Sequence, residues 1–78
     1  ELSIFPNPAI DNIHVISNET INDIFIYDSF GRQIKQKTRL TVNSTIAVED
    51  LPEGIYFVKV LYTKGGQQSK SFLKMKSK

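Results

Sequence analysis

The sequence predicts an all-β domain, a small antiparallel β-sandwich, and three observations predict it. Apolar residues recur at alternate positions, at Ile13 and Val15, at Ile24 and Ile26, and at Tyr56, Val58, Val60 and Tyr62. That period of two sets one face of a strand against a core. Turn-forming residues interrupt at short, fairly even spacing, at Pro6-Asn7-Pro8, Ser17-Asn18, Asp28 to Gly31, Asn43-Ser44, Pro52-Glu53-Gly54 and Lys64-Gly65-Gly66, as they do where short strands follow one another. No segment combines the length of a helix with a 3.6-residue period.

Taken in order, strands are expected at residues 2–5, 12–17, 22–27, 32–37, 40–42, 45–48, 55–62 and 67–76, an Ig-like sandwich of about seven to eight short strands. The last two form the best-defined hairpin. Thr63-Lys64-Gly65-Gly66 supplies the positive-φ positions of a tight turn, and both flanks alternate. A second hairpin joins 22–27 to 32–37, with Gly31 in the left-handed position that a Cβ disfavours. On the long strand, Tyr56, Val58 and Val60 point to the core and Ile55, Phe57 and Lys59 away from it. Ile55 and Phe57 are therefore either covered by a loop or exposed as a docking patch.

Length and composition bound the rest. Seventy-eight residues make one domain, and a chain of this size buries only roughly 60–65% of its unfolded surface. It has no cysteine, so neither a disulfide nor a Cys-based metal site is available. An apolar fraction of 40% with five Phe and three Tyr argues against disorder. The net charge of +2 does not by itself imply nucleic acid, but from Lys64 to Lys78 there are five lysines and no acid. Edge strands commonly carry such lysines. No run approaches the ~20 apolar residues of a membrane span, so direct membrane insertion is not expected.

Little in the chain suggests catalysis. His14 is the only histidine, too little for a catalytic triad or a His-based zinc site, and it alternates with Ile13 and Val15 as a solvent-facing strand residue does. The acids Asp11, Asp28 and Asp50 fall in turns, which aspartate closes through its own backbone. Glu49, Asp50 and Glu53 lack the ladder of a calcium loop. No serine stands in G-x-S-x-G, and no P-loop follows Gly65-Gly66. The sequons at Asn18 and Asn43 read as turns. Phe72 between Lys70 and Lys74 is a faint echo of a base-stacking platform, without the signatures of RNA-binding sheets. The expectation is a non-enzyme with no catalytic residue, metal or cofactor, and no nucleic-acid partner.

Three short signals frame the chain: Phe5-Pro6-Asn7-Pro8, then Tyr27-Asp28-Ser29-Phe30-Gly31, then Leu51-Pro52-Glu53-Gly54-Ile55-Tyr56 before a lysine-rich end. In this order, over essentially the whole chain, they resemble the type A C-terminal sorting domain of type IX (Por) secretion cargo proteins in Bacteroidetes. The matched positions Phe5, Pro6, Asn7, Pro8, Asp28, Gly31, Leu51, Pro52, Gly54 and Tyr56 are read mostly as framework. Many members place a lysine directly before the Phe of the last strand; here that position is Ser71 and the lysine is Lys70, which moves the charge to the other face.

The resemblance implies that residues 1–78 are a single sorting domain excised from a longer secreted protein. It implies transit through the periplasm, then the outer membrane, cell surface or medium. The implied partners are the outer-membrane translocon, its shuttle proteins and a sortase-type protease that removes the domain and attaches the cargo to the surface. Lys70, Phe72, Lys74, Lys76 and Lys78 are the residues expected to be read by that machinery, at the open edge of the closing hairpin. Unprotected edges also leave edge-strand self-association open. The competing class is a non-catalytic spacer or a carbohydrate-binding accessory module, for which Phe30, Phe57 and Tyr62 are the aromatic candidates.

Overall fold

A computed structural model describes residues 1–76, and backbone alone for residues 39–41. It is all-β, with β1 (Leu2–Phe5), β2 (Asn12–Tyr27), β3 (Gln33–Ala47), β4 (Gly54–Tyr62) and β5 (Gln67–Lys74). The strands join in one antiparallel sheet in the order β1-β2-β4-β5, and β3 pairs with the other side of β2. This sheet curls on itself. The first half of β2 pairs with β1 and the end of β3, while its second half pairs with the start of β3 and with β4. Two layers result, compatible with a small Ig-like sandwich.

Five continuous strands thus replace the seven to eight expected, for a physical reason. Ser17-Asn18 and Asn43-Ser44 do not end strands. Register shifts between Ile16 and Ile21 let β2 and β3 pass from one layer to the other while staying paired, as a bulge bends a strand without breaking its ladder. The two hairpins form as the turn residues require. Gly31 has φ 83° and closes the β2–β3 turn, its N–H donating to the Asp28 carbonyl at 3.0 Å. Gly65 and Gly66, with φ 101° and 88°, turn β4 into β5.

The core lies between the layers. Leu2, Ile13, Val15, Ile46 and Val48 of one layer meet Ile24, Ile26, Val58, Val60 and Phe72 of the other. A polar tie crosses the same space: the Ser17 hydroxyl approaches Tyr62 Oη at 3.4 Å, and Tyr62 Oη in turn donates to Gln68 Oε1. His14 sits half-buried, its Nδ1 3.0 Å from Thr45 Oγ1 and its ring 5.3 Å from that of Phe5.

The two outer edges of the four-strand layer differ. Along β3, Lys35 and Lys37 oppose the core residues Ile26 and Ile24 and so lie on the core side of the sheet. Lys35 pairs with Asp50 at 3.1 Å, and Lys37 Nζ donates to the Thr45 carbonyl at 3.0 Å. Inward-facing charges of this kind blunt an edge against further pairing. On the β5 edge Lys70 likewise opposes a core residue, Val58, but is exposed, and a second device closes only part of that edge.

Candidate functional site

The three framing motifs converge at one pole of the sandwich, around the end of β5. From the first motif, Asn7 Oδ1 accepts the Leu73 N–H at 2.9 Å. Ala9 then lies beside β5 as a parallel bridge, its N–H donating to the Leu73 carbonyl and its carbonyl accepting the Met75 N–H, both at 2.8 Å. Both X-Pro bonds of this segment, Phe5-Pro6 and Asn7-Pro8, are cis.

In the second motif, Asp28 organises its turn. Its Oδ1 accepts the N–H groups of Phe30 at 2.9 Å and Arg32 at 3.0 Å, and its Oδ2 pairs with Arg32 Nε at 2.8 Å. The Arg32 N–H, more than any other group, holds this carboxyl below the usual aspartate range, assisted by the guanidinium and the Phe30 N–H.

The third motif supplies acceptors. The Tyr56 hydroxyl donates to the Pro52 carbonyl at 2.6 Å, and the Lys76 N–H donates to Glu53 Oε2 at 2.8 Å. Lys74 Nζ donates to the Leu51 carbonyl at 3.1 Å. The Tyr56 ring stacks on Phe72 with centroids 5.6 Å apart. Burial raises its phenol pKa, and the nearby Asp28 charge adds to the effect.

This geometry separates the residues expected to be read by the exporter. Phe72 is 1% exposed and Lys74 only 3%. Phe72 belongs to the core, so no base-stacking platform exists on β5. Lys74 turns its ammonium to Leu51 inside the pole, so it does not give the open edge its charge. Lys70 and Lys76 are exposed, and Lys78 lies outside the described residues. Ser71 is exposed on the outer face opposite Phe57.

The direction of the β5 backbone groups follows from the same contacts. Opposed residues in an antiparallel ladder alternate between bonding each other and turning outward. Leu73 turns outward, to Asn7 and Ala9, so Gln67, Ser69 and Ser71 turn outward as well. Among the described residues none of these three has a backbone partner on that side. The edge of β5 is therefore closed at Leu73 and open at residues 67–71.

Beside that open edge lies an apolar outer face that sequence reasoning saw only in part. Ile55 and Phe57 are 48% and 44% exposed, so no loop among the described residues covers them. Half-buried Phe25 and Tyr27 flank them on β2, with ring centroids 6.4 Å apart, and Leu73 flanks them on β5. Lys59 stands in the same face with its ammonium 6.0 Å from the Tyr27 ring centroid. The signal was present in the run Ile24-Phe25-Ile26-Tyr27, which is apolar on both strand faces. A sandwich layer ordinarily turns polar residues outward.

A cysteine-free β-sandwich with its motifs gathered around its last strand, and one strand edge left open beside an apolar face, defines a small recognition module. The family comparison agrees: the model of the secretion system C-terminal sorting domain matches residues 3–75, and the chain belongs to that family, the type IX class. It is also similar to beta-agarase A of Zobellia galactanivorans, 32% identical over 69 residues, which cover 86% of this chain and 12% of the relative. The chain thus spans about an eighth of that relative's length. Membership makes it a sorting signal that engages the secretion machinery and belongs to proteins exported to the cell surface or beyond.

Proposed function

We propose that residues 1–78 form a single non-catalytic export signal of a longer cargo protein, recognised through the open half of β5. The observation that supports this reading is the division of the last strand. Its closing residues are bonded into the motif pole, and residues 67–71 keep an unpaired edge beside Lys70. The cargo emerges from the periplasm through the outer-membrane translocon, delivered by shuttle proteins. A sortase-type protease then removes the domain and attaches the cargo to anionic lipopolysaccharide. The likeness to an agarase suggests a polysaccharide-degrading enzyme as one class of cargo. Glu1 lies at the pole of Ser17 and Asn18, its backbone nitrogen 2.8 Å from Asn18 Oδ1. A cargo joined there enters at the opposite end of β1 from the motif pole.

The test is a fusion of this chain behind a signal peptide and a fluorescent protein, expressed in a type IX-competent host and in a translocon-null strain. Surface or medium fluorescence in the competent host alone, lost on deleting the residues after Lys64, is the expected result. Periplasmic retention in both strains would leave the spacer or carbohydrate-binding reading, and glycan arrays would follow.

A further inference from the structure

We propose that residues 67–71 of β5 receive an extended strand of a partner protein in which large apolar residues alternate with acidic ones. The backbone sets the docking mode. Gln67, Ser69 and Ser71 turn N–H and C=O outward, which suits a partner strand of roughly five to seven residues. Asn7 and Ala9 occupy the outward groups of Leu73. An incoming strand therefore stops there, and its register is fixed at that end.

The side chains set the partner's chemistry on each face. On the outer face, Ser71 opposes Phe57, Ser69 opposes Lys59 and Leu73 opposes Ile55. The two serines are small, so they leave a step between the open edge and the apolar surface of β4. A large apolar side chain on the incoming strand fills that step, leaning over Ser71 against Phe57 and Leu73. On the opposite face the exposed side chain at mid-edge is Lys70. From residue 64 to residue 76 the chain carries four lysines and no acid, and Lys74 is turned inward. The positive field along this edge is thus uncompensated by its own strand, and acidic side chains in the partner answer it.

The same features disfavour a second copy of this chain. Pairing two such edges brings Lys70 toward Lys70, and like charges across a ladder are destabilising. It also sets serine against serine, leaving the step unfilled. The β3 edge is no better a partner, since it carries Lys35 and Lys37. This inference deepens the export-signal reading, on which it rests for placing the partner within the exporter; the docking chemistry can be measured separately.

The experiment titrates the isotopically labelled chain with an eight-residue synthetic peptide alternating glutamate with valine or phenylalanine. A scrambled peptide of the same composition and one with lysine for glutamate serve as controls. The expected result is hydrogen-exchange protection at the Ser69 and Ser71 amides, with binding at least tenfold tighter than either control. Ser71→Pro removes an outward N–H without removing a bond to β4, and it abolishes binding while Ser71→Ala preserves it. Lys70→Glu, at an exposed position, reverses the preference toward the lysine peptide. Equal binding of the scrambled peptide, protection on β3 instead, or no binding overturns the proposal. In the fusion assay, export of Ser71→Pro at the unmodified level would overturn this docking mode and leave the sorting reading standing. Failure of the unmodified fusion to be exported would instead overturn the sorting reading.

Discussion

The two halves of β5 are built from one alternating strand and do opposite things. Residues 72–74 are held on every side: Phe72 by Tyr56, Leu73 by Asn7 and Ala9, Lys74 by the Leu51 carbonyl. Residues 67–71 are all exposed, and their ladder pairs them with β4 alone. The framing motifs supply partners to the first half and none to the second. The difference teaches that the most recognisable residues of this chain build a closed pole, and that the surface left for a partner is drawn by residues with no motif at all.

The largest expected effect on this contrast comes from emptying the closed half. Phe72→Ala removes a fully buried ring and should cost about 3–5 kcal/mol, read as a lower urea midpoint by circular dichroism. Lys74→Met keeps most of the aliphatic packing but leaves the Leu51 carbonyl without its donor. A loss of about 1–3 kcal/mol follows from leaving this part-buried acceptor unpaired, and an unchanged midpoint would show that the bond contributes nothing. Asn7→Ala should cost about 1 kcal/mol and speed hydrogen exchange at Leu73, while Ser69 and Ser71 exchange as before.

The open half should barely register in stability. Lys70→Glu and Ser69→Ala are expected within about 0.5 kcal/mol of the parent, although Lys70→Glu lowers export. A final difference is in pH. The Asp28 carboxyl titrates below the ordinary aspartate value, so it stabilises the fold above the unfolded-state pKa of about 4. That contribution disappears as pH falls through the lowered value. Asp28→Asn should flatten the acid limb of a stability profile near pH 4 and below, and an unchanged limb would assign acid sensitivity to other carboxylates.

Much of the fold was legible because its signals are local. Strand alternation marks Tyr56, Val58 and Val60 as core, and Gly31 and Gly65-Gly66 mark hairpins whose strands pair as expected. Continuity of β2 through Ser17-Asn18 was not legible, since a polar pair that bends a paired strand looks the same in sequence as one that ends it. The burial of Lys74 was hidden for another reason. Its acceptor lies 23 residues earlier in the chain, as the Asn7 acceptor lies 66 residues before Leu73, and no short-range pattern announces such contacts. Lysines at strand ends are ordinarily solvated, so the sequence pattern groups Lys74 with Lys70, whereas its packing sets it with Phe72.

The most direct test sets one residue of each half against the other in the export fusion, after circular dichroism has shown all variants folded. Asn7→Ala weakens the closed pole; Lys70→Glu with Ser71→Pro alters only the open edge. The account predicts that the Asn7→Ala fusion reaches the surface and the edge variant stays in the periplasm. Surface delivery of the edge variant at the unmodified level, with Asn7→Ala retained, would contradict it and place recognition at the motif pole.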